Sequence, residues 1–330
     1  MDIIKRDGTR VPFEKEKIER AIAKSFASVD SLVSNEKLSQ MSDKIVATIK
    51  EKYPKDHIVS VEEVQDLVEL TLIDENYYRE VKSFILYRAK HNMDRKVMSD
   101  FEEYITDREV LEILAKVQNE FDNQRYPIDS LYFKFESFTK ANMSEEELLS
   151  ALTRAASELT SKETPDWEII AARFLMYEID LEIKRNEERY DIVDFKSKID
   201  YLTNSGLYGA YIKENYSSAD IDELESYLKK DRDDLFTYSG LDLVKKRYLI
   251  RTFTGDIIES VQEMFMGIAM HLAIPEKDSV AFAKRLYDIL STLKATMATP
   301  TMTNARKPFN QLSSCFIDTV PDTLKGIYRS

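Results

Sequence analysis

Ile3-Ile4-Lys5-Arg6-Asp7-Gly8-Thr9-Arg10-Val11-Pro12-Phe13 reads as two short strands folded about an Asp-Gly turn, with Asp7-Gly8 supplying the positive backbone angles. The sequence that follows has a different texture. Only seven glycines and eight prolines punctuate 330 residues, and apolar residues recur at three- and four-residue spacings, the pattern of amphipathic helices. Helices are expected over Glu14 to Phe26, Asn35 to Lys52, Ser60 to Asp74 and Tyr77 to His91. Ser60-Val61-Glu62-Glu63 opens the third as a capping box, and His57 to Val59 can add a third strand. The polar stretch Asn92 to Asp94 reads as a turn that closes a first domain of about ninety residues.

From Phe101 to Leu293 the helical pattern resumes, strongest at Glu145 to Thr160, Trp167 to Lys184, Ile221 to Lys230, Thr254 to Ala273 and Ser279 to Thr292. Ser144-Glu145-Glu146-Glu147 forms another cap, and Leu148, Leu149, Leu152, Ala155, Ala156 and Leu159 share one face. The Ser144 helix followed by the helix with Tyr177 echoes the Ser60 helix followed by the helix with Tyr87, a weak repeat that convergent helix chemistry explains equally well. After Ala295 the chain becomes Thr- and Met-rich, and Leu312 to Asp318 reads as a strand. A lone strand has unpaired edges, so residues 294–330 are expected to belong to a sheet completed elsewhere.

Composition narrows the function. A formal charge of −13 argues against a surface devoted to nucleic-acid phosphates. Met264 to Ile274, the most apolar stretch, is too short to span a bilayer, and the charged N-terminus does not resemble an export signal, so a cytoplasmic location is expected. One cysteine, Cys315, excludes an internal disulfide framework and a multi-cysteine zinc ribbon. His57, His91 and His271 are far apart, and no Glu-x-x-His pair occurs, so no metal site is expected and any metal is assigned to a partner.

An ATP site without a Gly-rich loop needs cations for the phosphates and an apolar slot for adenine. Lys5, Arg6 and Lys17 are placed to converge, and Ile4, Val11, Phe13 and Ile18 to line the slot. Alone, such a set is more often a solvated basic edge over an ordinary core. The pattern Lys-Arg-Asp-Gly-x-x-Val-x-Phe-x-x-x-Lys-Ile, with Ser-Val-Glu-Glu-Val-Gln-Asp and Phe-Ile-Leu-Tyr-Arg, resembles the ATP-cone domain over residues 3–90. That resemblance implies ATP or dATP as an allosteric effector held by Lys5, Arg6, the segment Val11, Pro12, Phe13, Glu14, Lys15, Glu16 and Lys17, and by Val61, Gln65 and Lys90.

The rest resembles the large subunit of class I ribonucleotide reductase. The motifs are Lys245 to Ile250, Glu263 to Ala269, Ala298-Thr299-Pro300-Thr301-Met302 and Gln311-Leu312-Ser313-Ser314-Cys315-Phe316. The resemblance implies a mainly α fold: an ATP-cone with a short three-stranded sheet (residues 1–92), a helical domain (93–293), and the first strand region of an incomplete ten-stranded α/β barrel (294–330). It implies reduction of ribonucleotides by cysteine radical chemistry, with a di-metal radical centre in a small partner subunit, a thioredoxin-type reductant and a homo-oligomeric state. Val261 stands where relatives carry Pro and Arg306 where they carry Gly, departures expected to loosen the local backbone.

Hydroxyls and neighbouring amides at Thr299 and Ser314 suit phosphate oxygens, and the resemblance assigns both to the substrate, with Cys315 as a redox-active thiol. A solitary Cys in a strand is otherwise a small buried hydrophobe. Asp322, Thr323 and Leu324 align with the start of the specificity-effector site, and Asp322 serves equally as a helix N-cap. His271 and Trp167 are assigned to packing. The alternatives are a stand-alone ATP/dATP-binding helical interaction or oligomerisation module and, ranked last, a nucleic-acid-binding regulator, against which the acidic balance and the missing zinc ribbon both count.

Overall fold

The computed structural model describes every residue except 1, 6, 7, 55, 56, 123, 310, 316, 318 and 330, and the backbone alone at Lys90 and His91. The chain divides into two compact units, Met1–Ser99 and Asp100–Ser330.

In the first unit, β1 (Asp2–Ile4) lies between β2 (Arg10–Pro12), antiparallel to it, and β3 (Val59–Ser60), parallel to it. Gly8 takes φ +81° at the hairpin, the left-handed angle that glycine adopts without steric penalty. Register pairs Ile3 with Val11 and Ile4 with Arg10. Cross-strand partners share a face, so Ile3 rather than Ile4 joins Val11. Four helices cover the sheet's unit: α1 (Lys15–Ala27), α2 (Asn35–Lys52), α3 (Val61–Asp74) and α4 (Tyr78–Glu102). Their core holds Ile22, Phe26, Met41, Ile45, Ile49 and Leu72, each nearly or fully buried and contributing roughly 1.5–3 kcal/mol.

The capping box at Ser60 is present: its hydroxyl accepts from Glu63 N (3.2 Å) while its own N–H donates to Glu63 Oε2 (2.7 Å). The Ser60 N–H bond, with a second bond that the Ser60 hydroxyl donates to Oε2 (2.9 Å), holds the Glu63 carboxyl below its usual range. Asn92 to Asp94 do not form a turn but lie inside α4. Polarity alone does not break a helix, and neither Gly nor Pro occurs between Tyr78 and Glu102.

The second unit is built on α5 (Arg108–Glu120), α6 (Ile128–Glu136), α7 (Glu145–Glu158), α8 (Trp167–Arg189) and α9 (Phe195–Asn204). There follow α10 (Tyr211–Asn215), α11 (Ser218–Ser226), a 3-10 turn (Lys230–Leu235), α12 (Tyr238–Arg247), α13 (Val261–Ala273), α14 (Ser279–Ser291), α15 (Thr299–Asn304) and α16 (Leu324–Arg329). Along α8, Ile170, Phe174, Ile179 and Ile183 repeat at helical spacing and face the core. Helix α13 is apolar nearly all round, with Met264, Met266, Ile268 and Met270 fully buried, the mark of a core helix. No helix among the described residues is long and apolar enough to cross a membrane.

Three expectations change in this unit. Helix α13 starts at Val261, not Thr254, because Ser260 and Glu263 close a capping box and Gly255 (φ +96°) turns the chain before them. The helix expected over Ile221 to Lys230 begins at Ser218, behind the Ser217–Asp220 box, and ends at Ser226. No strand occurs among the described residues of 294–330; Thr299–Asn304 is helical, and 311–315 is irregular, in keeping with the absence of any paired edge there. Phe316 and Asp318 of the expected strand lie outside the described residues.

Candidate functional site

The hairpin, α1 and α3 enclose a cavity of about 240 Å³. Ile3, Lys5, Val11, Pro12 and Phe13 line it from the hairpin side, Glu14, Lys17 and Ile18 from the start of α1, and Val61, Val64 and Gln65 from α3. Eight of the residues expected to hold nucleotide thus meet around one space: Lys5, Val11, Pro12, Phe13, Glu14, Lys17, Val61 and Gln65. Ile18 lines it as expected, whereas Ile4 is replaced by Ile3, for the reason of register given above. Neither Lys15 nor Glu16 borders the cavity. The Lys15 ammonium is taken up by Asp43 (2.5 Å), Ser39 (3.0 Å) and Glu19 (3.5 Å), and its pKa is raised by the Asp43 bond. Arg6 and the side chain of Lys90 lie outside the described residues.

The charge at the cavity mouth is arranged by α1. Lys17 Nζ donates to Glu14 Oε1 (2.9 Å), one turn apart, and that contact holds the Glu14 carboxyl below its usual range. Glu14 therefore tethers the ammonium beside the cavity. The floor is apolar, formed by Val64, Val68, Ala21 and Phe84, and suits a flat heteroaromatic ring.

A second hollow, of about 400 Å³, adjoins the first and shares Lys17, Ala21, Gln65 and Phe84 with it. It adds Arg20, Lys24 and Arg88. The spacing Lys17, Arg20, Ala21, Lys24 places these residues on one face of α1, a signal that the reading of strand cations alone passed over. Arg88 is already paired with Asp66 (2.5 Å) and Glu69 (2.8 Å), whereas Arg20 Nε donates to the Glu16 carbonyl (3.3 Å).

The C-terminal candidates occupy another region. Thr299 opens α15, and Thr299, Ser314 and Cys315 are exposed. The segment before Ser314 is fastened to α15: Thr301 Oγ1 donates to the Leu312 carbonyl (3.3 Å) and Asn304 Nδ2 to that of Gln311 (2.9 Å). Asp322, Thr323 and Leu324 lie at the approach to α16, whose Gly326 N–H is capped by Thr323 Oγ1 (3.0 Å) rather than by Asp322.

Arg306 does not loosen the backbone. It is fully buried, with Nε and Nη2 each 2.5 Å from the Glu259 carboxylate. Val261 occupies the first position of α13, where Pro would preset φ, and the Ser260 box caps the helix without it. His271 is half-buried against the edge of Tyr211, its Nδ1 unpartnered, and burial lowers its pKa. Trp167 packs against Tyr126.

Comparison with known proteins accords with this division. Residues 1–93 match the ATP cone domain, and residues 234–310 match the ribonucleotide reductase all-alpha domain. The chain is 45% identical over 334 residues to the ribonucleoside-diphosphate reductase subunit alpha of Treponema pallidum, covering all of this chain and 40% of that protein. It is 30% identical over 365 residues to that of Chlamydia muridarum, covering all of this chain and 34% of the relative. For subunit alpha of reductase 1 from Escherichia coli, identity is 28% over 179 residues, 53% of this chain and 23% of the relative. The chain thus spans about two fifths or less of the length of these relatives. Along its whole length the chain is similar to the N-terminal part of ribonucleoside-diphosphate reductase alpha subunits, with the ATP cone match at its start and the all-alpha match toward its end.

Proposed function

We propose that residues 1–92 bind ATP or dATP as an allosteric effector of a ribonucleoside-diphosphate reductase. In this reading residues 93–293 form the helical domain and residues 294–330 the approach to the catalytic barrel. The observation that carries it is the cavity of about 240 Å³ in which Lys5 and Lys17 flank an apolar floor. Adenine takes the floor, and the phosphates lie along Lys5 and Lys17 toward Arg20 and Lys24. Val61 and Gln65 face the nucleotide from α3.

The reaction of the complete subunit removes the ribose 2′-hydroxyl and is balanced by oxidation of a cysteine pair. Thr299 and Ser314 hold substrate phosphate, Cys315 is one redox thiol, and Asp322, Thr323 and Leu324 contribute to the specificity-effector site. Cys315 is the sole cysteine here, so no pair forms within this chain and it does not turn over alone. The rest of the large subunit, a small subunit with a di-metal radical centre, and a thioredoxin-type reductant supply what is missing, in a homo-oligomeric enzyme.

Titration calorimetry of the full chain with dATP tests the regulatory assignment. Saturable binding that weakens in Lys17→Ala is expected, and a folded sample that takes up no dATP removes it.

A further inference from the structure

The carboxylate of Glu259 and the guanidinium of Arg306 are both fully buried and form a two-pronged pair. Glu259 has further donors in the Tyr208 hydroxyl (2.6 Å) and Ile250 N–H (2.9 Å). Arg306 also donates to two carbonyls, Met302 in the last turn of α15 (2.8 Å) and Tyr248 just past α12 (2.6 Å). A charge pair so enclosed is stable only because nearly every donor and acceptor is matched. The surroundings are shaped to it: a Cβ on Gly267 of α13 would lie 2.8 Å from Arg306 Cδ and 2.9 Å from the Tyr208 hydroxyl, so only glycine leaves room.

From this pair hydrogen bonds run outward in one direction. Arg306 holds the last turn of α15, and α15 in turn holds Leu312 and Gln311 through Thr301 and Asn304. Two and three residues beyond Leu312 stand Ser314 and Cys315. On the inner side, Gly209 N–H donates to the Arg306 carbonyl (2.9 Å), and the Tyr211 hydroxyl lies 2.9 Å from the carbonyl oxygens of Ala305 and Lys307. The exposed segment is thus anchored through the buried Arg306 side chain and through the backbone carbonyls of Ala305, Arg306 and Lys307.

We infer that Arg306, locked by Glu259, is a positioning residue that seats the Thr299–Asn304 helix and, through Thr301 and Asn304, the Gln311–Cys315 segment. That this segment receives substrate phosphate rests on the function proposed above; the seating itself does not. Arg306 touches no reacting atom in this scheme. It fixes where Thr299, Ser314 and Cys315 stand, and small misplacements of such groups are costly.

Hydrogen exchange on the full chain, read peptide by peptide, tests the seating. Arg306→Lys keeps the charge but loses the fork, and Asn304→Ala cuts the outer link without touching the buried pair. In Arg306→Lys, amides of 299–312 are expected to exchange about 10- to 100-fold faster, while α8 and α7 keep wild-type rates. Asn304→Ala is expected to leave the α15 amides at wild-type rates, since the buried pair is untouched. Uniform acceleration across the second unit in Arg306→Lys, or unchanged 299–312 amides in that variant, overturns the inference. A second measurement separates it from the functional reading. In the chain completed with the downstream portion its relatives carry, and supplied with the small subunit, Arg306→Lys is expected to raise KM for CDP roughly tenfold with a smaller fall in kcat. Equal KM in variant and wild type overturns the link to substrate. Failure of the wild type to reduce CDP overturns the functional reading and leaves the exchange result to decide the seating.

Discussion

At Lys17 a single ammonium borders two adjoining cavities, so if the proposed nucleotide binds in either, its removal is felt. A charge-assisted bond contributes about 1.5–3 kcal/mol, and Lys17→Ala is therefore expected to weaken dATP roughly 10- to 100-fold in a calorimetric titration. Lys15→Ala serves as the control, because that side chain is spent on Asp43 and Ser39 and should leave affinity unchanged. The same logic of partners governs Arg306. Arg306→Met strands a buried Glu259 and should cost about 3–5 kcal/mol in denaturant unfolding, whereas Arg306→Met with Glu259→Met should cost less than the single change. A double variant less stable than Arg306→Met would show that the pair contributes net stability rather than specificity of position.

Among the elements, the junction of the 3-10 turn with α13 holds a titratable group. Gln262 Nε2 donates to Asp233 Oδ1 (2.6 Å), while Gln262 Oε1 accepts from Tyr287 (2.7 Å), whose oxygen accepts Lys229 N–H (2.8 Å). Burial pushes the Asp233 carboxyl up to about 6, and Asp180 and Asp234 add to the rise against the opposing Gln262 bond and Lys230. The folded protein therefore binds this proton more readily than the unfolded chain, so the group's contribution to stability falls as pH rises from about 4 to about 6 and then levels. Asp233→Asn keeps the acceptor for Gln262 and should stabilise the second unit at pH 7 by about 1 kcal/mol, with no gain at pH 4. A thermal-unfolding comparison at the two pH values checks the sign. Helices of this kind were legible in the sequence where Ser-x-x-Glu boxes precede apolar faces, as at Ser60 and Ser144. Their ends were not legible where only polarity suggested a stop, at Asn92 to Asp94, or where apolar Ile257 and Ile258 continue the pattern without continuing the helix. The cavity proposed for nucleotide was readable because the hairpin and the start of α1 are contiguous in sequence and α3 carries a capping box that fixes its first turn. Strand parity misassigned Ile4, and Arg20 and Lys24 surface only when α1 is read by face. Nothing local in the sequence announces the Arg306–Glu259 pair, since its partners are separated by 47 residues and meet only in the folded core.

For the molecule as a whole, each unit has its own buried cluster: Ile22, Phe26 and Ile45 among others in the first, and Met264, Ile268 and Leu241 among others in the second. Cooperative unfolding follows shared cores, so two transitions are expected in a calorimetric scan rather than one. A ligand that binds only the native form of one unit raises that unit's stability by RT ln(1 + [L]/Kd), about 2.7 kcal/mol at one hundred times Kd. Because the cavity is lined wholly by residues 3–84, dATP should move the transition of the first unit and leave the second in place. Lys17→Ala should abolish most of that shift at the same nucleotide concentration, while Arg306→Met should lower the other transition and leave the dATP shift intact. A shift of both transitions by dATP would mean that the units share stability, and the proposed assignment of effector binding to the first unit alone would have to be redrawn.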